Sequence, residues 1–100
     1  MVVGLCEVSV TLRGVRSLKD KRTVMRRLIE RTRQKFEVSV SETGENDSLR
    51  SGLIGLAVVS NDARYVDSQL DKILQFMREM YVADIVGADR EIVHWSGPFH

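Results

Sequence analysis

Two segments of this chain repeat their apolar residues at helical spacing, and each has only one apolar face. Leu18, Met25, Leu28, Ile29 and Thr32 fall in one arc of a helical wheel, with Phe36 just beyond the end. Val66, Leu70, Ile73, Met77 and Met80 make the second stripe. A helix of this kind needs another apolar surface to cover. With 100 residues the chain can build one core but not two, so both stripes must share it.

The segments between them read as strands. From Val2 to Leu12, Cys6, Val8, Val10 and Leu12 point one way and Glu7, Ser9 and Thr11 the other, the period of two of a half-buried strand. Glu37 to Glu42 alternates again around Val38 and Val40. Ser51 to Ser60 is apolar on both faces, with Ile54, Leu56 and Val58 on one and Leu53, Ala57 and Val59 on the other, as in a central strand. Asp84 to Trp95 supplies the last strand. Ser17 and Asp20 resemble a capping box for the first helix, which runs to about Lys35, and Ser60 or Asn61 can cap the second. The polar run Thr43 to Ser48 reads as a turn. The order β-α-β-β-α-β predicts an α+β fold of the ferredoxin-like type, a four-stranded antiparallel sheet with two helices on one face. Residues 1–96 form one domain, and residues 97–100 a loose C-terminal tail.

Charge is distributed unevenly along this frame. Residues 13–35 hold ten basic and two acidic residues, a net of +8, and the other seventy-seven hold five basic and twelve acidic, a net of −7. The overall +1 hides one cationic surface, which points to a polyanionic partner, nucleic acid being the commonest. The lone cysteine, Cys6, cannot form an intramolecular disulfide, and no apolar run approaches the roughly 18 residues of a membrane span. No secretory signal is visible, and a cytoplasmic protein with no membrane contact is expected.

Ser17-Leu18-Lys19-Asp20-Lys21-Arg22 has a second significance. Together with the Val-Gly opening strand, Phe36-x-Val38-Ser39-Val40 with Glu42 behind it, and Gly55-x-Ala57-Val58-Val59-Ser60, it makes an ordered series. That series resembles the YlxP-like family of small bacterial proteins, a domain of unknown function, from Val2 to Trp95. The resemblance implies the same ferredoxin-like fold and a cytoplasmic bacterial protein. Family members are often encoded beside translation factors and ribosome-binding factor A, which implies work on RNA or ribosomes. No catalytic residues are assigned in the family. Lys19, Lys21 and Arg22 alone carry over as motif positions.

On the wheel, Lys19, Arg22, Arg26 and Arg33 lie at roughly 60° to 120° from the apolar centre, a stripe along one flank. Arg27, Arg31 and Lys35 take the far side and the other flank. Lys21 falls almost within the apolar arc, so its stem is expected on the core edge with the amine reaching out. Arg16, Lys19 and Lys21 surround the helix N-terminus, where free backbone N–H groups favour an anion. Charged outer faces are common on solvated helices. Here, however, Glu30 is the main acidic relief, and like charges at i,i+4 (Arg22 with Arg26, Arg27 with Arg31) each cost a few tenths of a kcal/mol. The expected function is non-catalytic binding of a polyanion, RNA or a ribosomal particle, through Arg16, Lys19, Lys21, Arg22, Arg26 and Arg33. On the outer face of the sheet the first and third strands carry no aromatic for base stacking, so phosphate or shape readout is expected. Their apolar residues make a homodimer through the outer sheet face the main alternative, with a small-molecule-sensing module as another.

Catalysis finds little support. Ser17 and Lys21 are four apart, but Ser17 reads as a cap. Cys6, His94 and His100 lack metal-ligand spacing, and neither a metal nor a cofactor is expected. Carboxylates at Asp84, Asp89 and Glu91 read as exposed turn residues. Acylphosphatases share this topology and bind phosphate in the loop after the first strand. Arg13-Gly14-Val15-Arg16 resembles that loop only loosely, without the longer glycine-bearing signature or a well-placed asparagine, and this reading ranks last.

Overall fold

In strand β1 (Val2–Thr11) the even-numbered residues are buried and the odd-numbered ones more open, so one face of the strand supplies the core. A computed structural model describes residues 1–99, and His100, expected in the tail, lies outside the described residues. Four more elements complete the domain after helix α1 (Leu18–Lys35): β2 (Ser39–Gly44), β3 (Ser51–Ser60), α2 (Ala63–Glu79) and β4 (Asp84–His94). The strands pair antiparallel in the order β2-β3-β1-β4, which places β1 and the doubly apolar β3 at the centre. The fold is ferredoxin-like.

The two helices cover the same sheet face. Val8 and Ile54 are opposite each other in the central pair and fully buried, as are Leu28 of α1 and Val66 and Leu70 of α2. Each such side chain contributes about 1.5–3 kcal/mol by leaving water. At Gly4 the helix comes closest. A Cβ there would run into Val66 Cγ1 and sit 3.1 Å from Leu70 Cδ1, so the missing side chain is what lets α2 lie flat on β1. Arg90 of β4 holds the same helix at the sheet edge, 2.6 Å from Asp67 and 2.8 Å from Asp71.

Several boundaries differ from the sequence reading. The cap of α2 is Asp62, whose carboxylate accepts from the Arg64 and Tyr65 amides, while Ser60 Oγ accepts from Asp62 itself. Strand β2 begins two residues later than expected and extends through Thr43 and Gly44, because a bulge there keeps the pairing with β3 going. At α1 the capping box is only half reciprocal. Ser17 Oγ accepts from the Asp20 amide at 3.1 Å, but Asp20 accepts from Arg16 N–H at 3.2 Å, one residue before the cap.

Lys21 differs most. Its side chain is only 3% exposed, and the ammonium turns inward to donate to the Glu45 carbonyl, with Glu42 Oε2 at 3.8 Å. It fastens α1 to the β2–β3 hairpin, while Leu18, assigned to the apolar arc, is 37% exposed.

Two stability predictions follow from this packing. Gly4→Val is expected to cost about 1–3 kcal/mol by forcing α2 off β1, read as a lower thermal midpoint by circular dichroism. Lys21→Met is expected to lower the unfolding free energy in urea by about 1–3 kcal/mol, since Glu42 Oε2 has no hydrogen-bond partner among the described residues and the Lys21 ammonium at 3.8 Å is the charge that balances it. That loss is smaller than for a sealed pair because the Glu42 side chain keeps 27% exposure. Unchanged midpoints would contradict these contacts.

Candidate nucleic-acid interface

Helix α1 turns its apolar arc to the sheet, so most of its cations project from the opposite side of the molecule. Lys19, Arg22, Arg26, Arg27 and Arg31 are exposed, and among the described residues none lies within 4.0 Å of a carboxylate. Glu30, expected to relieve Arg26 and Arg27, makes no such ion pair among the described residues. Arg26, Arg27, Glu30 and Arg31 instead line a shallow groove with Thr23 and Gln34. From Arg22 to Arg31 this surface runs about 14 Å along the helix axis.

The structure brings together part of the expected set and separates the rest. Arg22 and Arg26 lie on the open surface. Arg33 is drawn down to β2, where its guanidinium donates to the Val40 carbonyl at 2.7 Å. Lys21 is turned away from the surface, contrary to the expectation of an outward amine, because the hairpin supplies the Glu45 carbonyl and the Glu42 carboxylate within its reach. Arg16 and Lys19 are exposed at the helix start. The anion site expected there is partly occupied by the chain itself, since Ser17 Oγ and the Asp20 carboxylate already take two backbone N–H groups. Arg27 and Arg31 do not belong to the expected set, yet they stand beside Arg26 on the groove. The sequence shows their unfavourable i,i+4 spacing, but the expected set follows one flank of the helix and so leaves them out. Lys35 lies on the other flank, 5.9 Å from the centre of the Phe76 ring.

The other candidate chemistries are placed apart. Ser17 acts as the helix cap, and the Lys21 ammonium points to the hairpin. Arg13 is engaged by Asp84 at 2.7 Å, and Asn61 lies beyond the far end of β3 from the Arg13 loop. Cys6 is buried and its thiol pKa is raised, chiefly by desolvation, with Arg90 opposing and Asp89 adding to the shift. His94 is exposed at the end of β4. The Arg90 pKa is raised, first by its hydrogen bond to Asp67, which overcomes desolvation, with Asp71 adding to it. On the outer sheet face β1 and β3 present Leu5, Glu7, Leu53 and Ala57, with no aromatic ring on which a base could stack. Among the described residues no helix is long and apolar enough to cross a membrane.

Likenesses to solved structures concern the chain path. The de novo designed protein Foldit4 matches with a TM-score of 0.51 and 11% identity, covering 95% of this chain and 98% of its own. SnoaB, a cofactor-independent oxygenase from Streptomyces nogalater, matches with a TM-score of 0.46 and 12% identity over 98% of this chain and 96% of its own. Sequence likeness is more informative. A Bacillus subtilis (strain 168) protein named "Uncharacterized protein YlxP" is 33% identical over 76 residues, 76% of this chain and 83% of that protein. The family described as "Protein of unknown function (DUF503)" matches residues 3–90, nearly the whole folded unit from β1 into β4, and the chain belongs to that family.

Proposed function

We propose that this protein is a non-catalytic polyanion-binding protein that associates with RNA or a ribosomal particle through the exposed face of α1. One observation carries the reading: Lys19, Arg22, Arg26, Arg27 and Arg31 share one helix surface, and none has a carboxylate partner among the described residues. Like charges spaced four apart on a helix destabilise it unless an external anion neutralises them. A phosphate backbone does so, and counterion release then drives association.

The contacts are of the positioning kind. Guanidinium groups can hold phosphate oxygens in pairs, which fixes the protein on the strand without reading bases. Strands β1 and β3 present no stacking ring on the outer face, so little sequence preference is expected. Arg33 has a separate part: by donating to the Val40 carbonyl it ties α1 to β2.

Charge reversal tests this reading. Arg26→Glu, Arg27→Glu and Arg31→Glu combined are expected to abolish co-sedimentation with ribosomal particles at low salt while leaving the circular dichroism spectrum intact. Unchanged co-sedimentation would refute the proposal. On a single-stranded RNA, milder replacement of the same three residues by Gln is expected to flatten the log–log salt slope by about 2, at roughly 0.7 for each phosphate no longer neutralised.

A further inference from the structure

Among the described residues no element of the fold covers the outer face of the sheet, and half of that face is apolar. Val59, Val3 and Val93 form one cross-strand row, with Ala57 and Leu5 in the next. Val59 is 61% exposed and Leu5 41%. Beside them the floor is made of small residues, Ser41, Gly55 and Ala57, which leave an open depression of about 670 Å³. The Thr43 bulge shapes its wall. Thr43 Cγ2 lies 2.5 Å from where a Gly55 Cβ would be, and its hydroxyl donates to Glu7 Oε2 at 3.0 Å.

Charge decides what fits there. Glu7 is directly opposite Asp89 in the β1–β4 register, and Glu91 is opposite Leu5 in the next outward row. Like charges across a strand pair are unfavourable. Among the described residues, no outward-facing position on the four strands carries a cationic side chain to relieve them. Arg90, the nearest cation in sequence, is held by Asp67 and Asp71 on the helix side.

We propose that this face docks a basic polypeptide segment, one that places lysine or arginine beside Glu7, Asp89 and Glu91 and apolar side chains over Leu5 and Val59. A nucleic-acid backbone is repelled by the three carboxylates. A second copy packed face to face adds three more carboxylates and no cation. The α1 surface of another copy offers cations, but its exposed groove residues include nothing apolar for Val59 and Leu5. The proposal does not rest on RNA binding, because it uses the opposite side of the molecule.

The test titrates the full chain into a fluorescein-labelled peptide of alternating lysine and valine, followed by anisotropy, with a glutamate–valine peptide as control. Saturable binding of the lysine peptide alone is expected. It should weaken at least tenfold in the combined Glu7→Gln, Asp89→Asn, Glu91→Gln variant and in Val59→Ser. The Arg26→Glu, Arg27→Glu, Arg31→Glu variant should bind it undiminished, which separates this result from failure of the RNA reading. All substituted sheet side chains are exposed, and circular dichroism checks that each variant folds. Equal binding by wild type and both sheet variants, or no binding at all, overturns the proposal. So does a dimer in sedimentation equilibrium that Val59→Ser dissolves, or loss of polyuridylate binding in the carboxylate variant.

Discussion

Everything else in this molecule depends on the contact between the even-numbered residues of β1 and β3 and the two helix stripes. Val8, Val10 and Ile54 on the sheet meet Leu28, Leu70, Ile73 and Met77, and all are at most 1% exposed. Because β1 and β3 are central and paired, a shift of one residue in either would turn its whole apolar set to water. That fixes the register, and the register fixes the faces. With both helices on one side, α1 presents its polar arc away from the sheet, and the odd-numbered strand residues form a surface on the opposite side.

Most of this frame was legible in the sequence because periodicity reports burial directly. The alternation in β1, the two-sided apolar character of β3 and the α2 stripe each correspond to one physical demand, and the element order leaves few ways to meet them together. Boundaries were harder to read. Ser60, Asn61 and Asp62 are all good caps, and the choice among them depends on where β3 stops pairing with β1, at Ser60. The extension of β2 through Gly44 depends on a bulge, which leaves no periodic trace.

The candidate site was less legible, and Lys21 shows why. A wheel gives its angle, which is nearly within the apolar arc, but not what lies there. Burying an ammonium is unfavourable unless oxygens surround it, so exposure was the reasonable expectation. The hairpin supplies Glu45 and Glu42 from twenty or more residues away, and no local pattern encodes that meeting. Arg33 is a similar case. Its angle matches that of Arg22, but β2 begins four residues after α1 ends, so the Val40 carbonyl falls within its reach. The motif hexamer Ser17 to Arg22 therefore divides into residues that build the helix start and residues left for contact: Ser17, Asp20 and Lys21 hold structure, while Lys19 and Arg22 remain on the open surface.

Segregated charge has one more consequence. A chain with +8 in residues 13–35 and −7 elsewhere, folded into two layers, has a cationic side and an opposing face that bears Glu7, Asp89 and Glu91. In the field of a polyanion such a molecule is oriented before it makes contact, helix first, because the acidic face is repelled as the basic one is attracted. Orientation of this kind speeds encounter more than it strengthens the final complex, and added salt weakens it within a Debye length of about 10 Å. It also leaves the sheet face pointing outward once α1 is engaged. A partner on that face would neither compete with the polyanion nor share a residue with it, so the two binding free energies would add unless the fold itself coupled them. Such coupling would have to pass through the core between the layers, where Val8, Ile54 and Leu28 are fully buried.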